Sequence, residues 1–229
     1  MNRCAFSLLL LFSLQLCAHA DILFYGGDFD MNNPNANAIA NENDAIVYGN
    51  PYGAAAYQNF IVPAGQSWNV TGLFSNNLMT LHPPNAYWEI RTGVSEGHGG
   101  TLRASGTGPD TYHLKGQFGE SNNLVSNLNI TLNPGMYWLA VVPDAPDQQG
   151  RSYNTNTFGL NAVGTQVSDQ QFFNSPFFGY TFTNADNLGV FPTFSSGVIG
   201  TVVPEPSGII IFSSGVIVAR AAVRRQLRL

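Results

Sequence analysis

Hydrophobic and polar residues alternate with period two along much of the chain, and that period predicts β-strands. In WNVTGLF (68–74), Trp68 and Val70 share one face while Asn69 and Thr71 point to the other. In AYWEIRTG (86–93), Trp88 and Ile90 oppose Tyr87, Glu89 and Arg91. In TYHLKGQF (111–118), Tyr112 and Leu114 oppose His113, Lys115 and Gln117. In LNITLNPG (128–135), Leu128, Ile130 and Leu132 face in, Asn129 and Thr131 face out, and Pro134-Gly135 turns the chain. MYWLAVVP (136–143) is apolar on both faces, as a central strand covered on both sides must be.

Roughly ten to twelve such segments, separated by turn residues, fit an all-β domain. The expected fold is an antiparallel, jelly-roll-like β-sandwich. A lipocalin-like barrel is the alternative, because period-two patterning does not separate stacked sheets from a closed one. Helical periodicity is not sustained anywhere between Asp21 and Val203. NAIANENDAIV (37–47) comes nearest and reads equally well as a polar loop.

The two ends follow different rules. MNRCAFSLLLLFSLQLCAHA combines Arg3, an apolar run of 12 residues from Ala5 to Leu16, and a small-x-small site at Ala18-His19-Ala20. This is the pattern of a secretory signal peptide, so the mature chain is expected to begin at Asp21. At the other end, Pro204 and Pro206 precede an uncharged run of 12 residues, Gly208 to Ala219. Arg220, Arg224, Arg225 and Arg228 follow. The expected division is a signal peptide over 1–20, an exported β-domain over 21–203, and a tail over 204–229 with a short hydrophobic helix. Extended to Val223 the apolar run has 16 residues. As a helix it would reach about 24 Å, against a hydrocarbon core of about 30 Å. That is marginal for a permanent anchor. The arginines mark the cytoplasmic side, which leaves the body outside the cell.

Composition narrows the chemistry. Both cysteines, Cys4 and Cys17, lie in the signal peptide, so the mature domain has no disulfide and no thiolate nucleophile or metal ligand. Between Asp21 and Val203 there are 13 acidic residues against four basic ones, a net of −9. Such a body repels polyphosphate, which argues against nucleic acid as a partner. Of its 183 residues 23 are Asn, a composition that makes turns and disfavours helix interiors.

Three local patterns invite chemical readings. Gly93-Val94-Ser95-Glu96-Gly97 has the form of a hydrolase nucleophile elbow, with His98-Gly99-Gly100 behind it. An elbow needs a helix after the serine, whereas a strand-like run, TLRASG, follows here; a hairpin loop is expected and no catalytic residue is assigned. Asp28-x-Asp30-x-Asn32 opens like a calcium loop, but Asn33 and Ile39 occupy the sixth and twelfth positions where an EF-hand needs Gly and Glu. A solvated Asx-turn is the simpler reading. A looser Ca²⁺ site from Asp28, Asp30, Asn32 and Asp44 is the alternative. His82, His98 and His113 are widely spaced, in no metal-ligand pattern. Tyr52, Tyr57 and Tyr87 are candidates to stack on sugar rings if exposed, but core or edge packing is the default expectation for them and for Trp68, Trp88 and Trp138.

The C-terminal order of parts resembles the PEP-CTERM sorting signal of exopolysaccharide-producing bacteria. Val203-Pro204-Glu205-Pro206-Ser207 matches its motif, and the hydrophobic stretch and arginines follow. The resemblance implies recognition by an exosortase near Pro-Glu-Pro, with Glu205 as part of a substrate. The body also resembles a group of such surface proteins through GGDFD (26–30), WEIRTGVSEGHGGTLRASG (88–106), LNPGMYWLAV (132–141) and FSSGVIG (194–200). That group implies no catalytic residue. The expected function is thus an exported, non-enzymatic surface or matrix protein. Its expected partners are an exosortase, the export machinery and exopolysaccharide, with membrane contact through the tail before processing. A secreted hydrolase acting on extracellular polymers and a permanently anchored envelope protein are the alternatives.

Overall fold

The computed structural model describes residues 20–43, 53–80, 83–114, 119–144, 151–190 and 193–204. These residues form 13 β-strands and one 3-10 turn. The strands are β1 (Asp21–Tyr25), β2 (Ala38–Ala40), β3 (Ala55–Val62), β4 (Gln66–Met79), β5 (Asn85–Thr92), β6 (Thr101–Leu114) and β7 (Glu120–Leu132). They continue as β8 (Gly135–Pro143), β9 (Ser152–Thr157), β10 (Phe172–Ser175), β11 (Tyr180–Asn184), β12 (Thr193–Phe194) and β13 (Ser196–Pro204). The 3-10 turn, Ala185–Leu188, lies between β11 and β12. The expected all-β class is what the structure shows, and every strand pairing is antiparallel.

The strands form one continuous path, β1-β13-β4-β7-β6-β5-β8-β3-β10-β11. A side branch leaves it where β9 pairs the end of β4 and also carries β2 and β12. The path curls because β6 belongs to two neighbourhoods. Thr101 to Pro109 pair with β5, and Asp110 to Leu114 pair with β7. The change of partner falls at Gly108-Pro109-Asp110, where proline removes a ladder donor and glycine removes bulk. Nearby, a Cβ on Gly106 would come within 3.0 Å of the Trp88 ring, so the missing side chain makes room for the indole.

Curling brings strands far apart in the path onto one core. Phe24, Phe60, Trp68, Val70, Leu73, Trp88, Ile90, Leu139, Val141 and Val198 are all buried in it. Phe60 stacks on Trp68 at 5.9 Å and on Tyr137 at 5.6 Å. A second cluster lies on the other face of β8 and includes Tyr57, Trp138, Ala140, Val142, Phe172 and Phe182. The strands β10 and β11 supply its cover, which explains why MYWLAVVP has no polar face.

Two expectations change. The segment from Asn37 is extended where it is described: Ala38–Ala40 pairs β9, and Glu42 bridges Ala54. β-Pairing overrides its weak helical pattern. The asparagines, expected in turns, also fill strand positions. Asn59, Asn76, Asn77, Asn123, Asn154 and Asn156 are all at most 1% exposed. Several bond nearby hydroxyls, as when Asn77 Nδ2 donates to Ser152 Oγ at 2.6 Å and Asn154 Nδ2 to Ser196 Oγ at 3.0 Å, and Asn76 Oδ1 accepts from Asn122 Nδ2 at 2.8 Å.

Candidate functional site

The GVSEG segment is the connection of the β5–β6 hairpin. Ser95 N donates to His98 O at 3.0 Å, and His98 N donates back to Ser95 O at 2.8 Å. Gly93, Gly97 and Gly100 all take positive φ, at 66°, 74° and 60°. Strand β6 begins at Thr101, so no helix follows Ser95 and the serine lacks the strand–turn–helix setting of an elbow. Val94 tucks into the second core, while Ser95 and His98 are exposed.

A buried charge pair braces this hairpin. Glu89, expected on the polar face of β5, does lie opposite Trp88 and Ile90, but β10 and β11 cover that face and leave it 0% exposed. Its Oε1 accepts from the Tyr57 hydroxyl and from Arg91 Nε at 2.5 Å. Its Oε2 accepts from the Tyr87 hydroxyl at 3.0 Å and Arg91 Nη2 at 3.2 Å. Arg91 Nη1 then donates to Gly99 O at 3.0 Å, and the guanidinium sits 5.2 Å from the centre of the Phe182 ring. Burial, and then the Glu89 charge, push the Tyr57 phenol well above its ordinary range. Burial alone would lower Arg91, but the hydrogen bonds and charge of Glu89 outweigh it and raise its pKa. The cluster satisfies its own charges and holds the hairpin down through Gly99.

The calcium-like turn closes on itself. Asp28 Oδ1 accepts from the Tyr25 hydroxyl at 2.6 Å and Oδ2 from Asn161 Nδ2 at 2.7 Å. Asp30 Oδ1 accepts from Asn32 N at 2.9 Å, an Asx-turn. Among the described residues, no three His, Cys, Asp or Glu side chains converge to hold a metal. Asp44, Lys115 and His82 lie outside the described residues, and His98 and His113 fall near opposite ends of β6.

Of the positions expected to be processed, Asp21 opens β1 opposite Gly200, and Val203 and Pro204 end β13 opposite Ser67 and Gln66. Ala20 is exposed just before β1. Ala18, Glu205, Pro206, Ser207, Arg220, Arg224, Arg225, Arg228 and the expected hydrophobic helix lie outside the described residues. Within the described residues no helix is long and apolar enough to cross a membrane.

The aromatic residues pack largely as the default expects. Trp68, Trp88 and Trp138 are in the cores, as expected. Tyr57 is buried and offers no face to a sugar, Tyr87 is half-buried with its hydroxyl on Glu89, and Tyr52 lies outside the described residues. Among the described residues the exposed aromatics are Tyr153, Phe158, Phe177, Phe178 and Tyr180. Three of them, Tyr153, Phe178 and Tyr180, border an open groove of about 530 Å³. One wall is β2 with Asn37, a second is the β10–β11 hairpin, and the 3-10 turn with Asn187 and Leu188 closes the third. Phe173 packs 5.8 Å from Tyr180 and 6.5 Å from Phe178 and so fixes the hairpin rings from below. The one signal in the sequence was Pro176-Phe177-Phe178-Gly179, a turn whose two central residues are apolar. A turn of that kind exposes them.

No protein-family model matches this chain, and no curated protein is similar to it.

Proposed function

We propose that the chain is an exported, non-enzymatic surface or matrix protein that binds or organises extracellular polysaccharide and is sorted through a PEP-CTERM tail. The fold is read as a jelly-roll-like sandwich. Support comes from the larger core, shared by β4 and β13 on one side and by β3, β5 and β8 on the other.

The observation that carries the functional reading is the placement of the ends. Strand β1 begins at Asp21, and β13 carries the chain to Pro204, where Pro-Glu-Pro starts. Folded body and sorting motif therefore meet without an intervening loop. The serine motif supports the non-enzymatic part, since Ser95 sits in a closed hairpin turn.

The test is mass spectrometry of the mature protein from its native host, with extracellular, membrane and matrix fractions compared. Sorting requires a C-terminus lost near Pro204-Glu205-Pro206 and recovery outside the inner membrane. An intact Leu229 in the membrane fraction would instead establish permanent anchoring. Co-sedimentation of the protein with the host's own polysaccharide tests the binding part.

A further inference from the structure

We propose that the groove bordered by Tyr153, Phe178 and Tyr180 is a binding cleft for a neutral polysaccharide chain, held at the pole of the domain opposite the Pro204 end of β13. This rests on the functional reading above and names its site and ligand class.

The lining specifies the chemistry. Tyr153, Phe178 and Tyr180 are 40%, 47% and 38% exposed, in a protein whose other aromatics mostly fill cores. Rings set at a groove margin offer flat apolar faces, and tyrosine adds a polar edge. Among the described residues, the Tyr153 and Tyr180 hydroxyls and the Asn187 amide have no protein partner, so each has donor and acceptor capacity to spend on a ligand. Flat apolar faces beside free hydroxyls and amides match a pyranose, whose C–H faces are apolar and whose rim is hydroxylated. A groove open to solvent suits a segment of a polymer better than an enclosed small molecule.

Charge selects within that class. None of the residues lining the groove is ionisable at neutral pH. Asp186, the neighbour of Asn187, lies against Asp169, and burial followed by that second carboxylate raises its pKa. With a body charge of −9 and no cation in the groove, a uronate, sulfated or nucleic-acid chain meets repulsion and no counter-charge. A neutral glycan meets neither. A second groove, about 490 Å³ over the β4–β7 bulge, is lined by Leu124, Leu128 and Ile199 without an aromatic ring and lacks these features.

Register gives the orientation. Pro204 pairs with Gln66 at one end of β4, whereas Tyr153 pairs with Leu78 near the other. The twelve intervening steps amount to roughly 40 Å of strand. The Pro204 end of β13 thus lies at one pole, and the groove opens near the other.

The experiment is affinity electrophoresis of the full-length chain through gels containing dextran, galactomannan or mixed-linkage β-glucan, with alginate as the anionic comparison. Retardation by at least one neutral polymer is expected, with affinity falling roughly ten-fold in each of Tyr153→Ala and Tyr180→Ala. Tyr180→Phe, which keeps the ring, should lose much less, and Leu114→Ala, an exposed residue on β6, should lose nothing. Thermal unfolding confirms that each variant is folded. Undiminished binding in folded groove variants overturns the groove while leaving polysaccharide binding intact. Retardation by alginate alone overturns the neutral class. No retardation by any polymer or by the host polysaccharide overturns both this inference and the binding part of the function. Self-association abolished by Phe178→Ala would make the groove a contact between copies and would overturn it too.

Discussion

Removing the guanidinium from Arg91 isolates the contribution of the buried charge cluster. Arg91→Met keeps an unbranched apolar stem against Phe182 but deletes both contacts to Glu89, the bond to Gly99 O and the charge over the ring. Glu89 stays 0% exposed and retains only the Tyr57 and Tyr87 hydroxyls. Breaking a buried ion pair from one side costs about 3–5 kcal/mol, because the remaining charge is uncompensated. The Arg91 side chain is 17% exposed, so some of its interaction is already screened, and the lower end, about 3 kcal/mol, is the expected loss. For a domain of this length that lowers the melting temperature by roughly 6–12 °C. Equilibrium urea unfolding followed by the fluorescence of Trp68, Trp88 and Trp138 measures it, since all three indoles are in the cores. Glu89→Gln should cost less, about 1–2 kcal/mol, because Arg91 can turn to solvent. The double variant should be less destabilised than the sum of the singles by at least about 1 kcal/mol. An Arg91→Met protein within about 0.5 kcal/mol of the wild type would refute the reasoning. It would mean that the pair contributes no more than an exposed one.

The remaining expectations test separate parts of the fold. The Asp110 carboxyl is raised from 3.8 to about 7, chiefly by burial and also by Asp144, against the opposing hydrogen bond from Leu124 N. The folded state therefore holds this proton longer than the unfolded state, and stability should fall as pH rises from about 4 to about 7. Asp110→Asn should remove that fall and stabilise the protein at pH 8 by about 1–2 kcal/mol after discounting for partial exposure, readable as a flatter melting-temperature profile. Gly93→Ala meets no atom within 4 Å and should cost only about 1–2 kcal/mol for its positive φ, whereas Gly100→Ala places its Cβ 2.1 Å from Thr92 O and should cost distinctly more in the same urea assay. Ser95→Ala should leave the unfolding midpoint unchanged within about 0.5 kcal/mol and should not alter labelling by a fluorophosphonate probe.

Much of the fold was legible because a half-buried strand repeats every two residues. Trp68 and Val70 on β4, Leu128 and Ile130 on β7, and the two-sided run of β8 all sit on the faces their spacing gives. That period is silent about what covers the second face. Glu89, Arg91 and Tyr87 were correctly placed opposite Trp88, yet β10 and β11 arrive from about 80 residues later to bury them. Tyr57 packs in the core, as its default predicts, and the strand that covers it is β10, paired beside it. The groove was illegible in a stronger sense. Its walls come from Asn37, Tyr153, Phe178 and Asn187, which share no local pattern and meet only through the pairing of β2 with β9 and of β10 with β3.

The asparagines connect these observations to the shape of the domain. A buried amide is costly unless bonded, so a strand can carry several only where neighbouring strands present complementary groups at matching positions. For the amide nitrogens that condition is met near the Met79 end of β4, where Asn77 faces Asn154 on β9 and Ser121 on β7, and where Ser75 faces Asn123 and Ser196; the Oδ1 atoms of Asn77, Asn123 and Asn154 are buried without a hydrogen-bond partner among the described residues. The Gln66 end is different, with Trp68 and Val70 packed against Phe60 and Leu132 in an apolar core. The amides thus specify register at the pole where β4 must accept β9 as an additional partner, because a slip of one residue would leave each of them unbonded or expose it. An exchange of Asn77 for Leu tests this: a simple gain in hydrophobicity should stabilise the protein, but loss of the bond to Ser152 Oγ at 2.6 Å should destabilise it by about 1–3 kcal/mol. If register is what the amide secures, the loss will be accompanied by faster amide hydrogen exchange in Ser152–Thr157 than in β7, since β9 meets β4 only at Asn77, Leu78 and Met79 whereas β7 pairs β4 from Trp68 to Leu78. Equal exchange in the two strands would show that the amide contributes stability without contributing register.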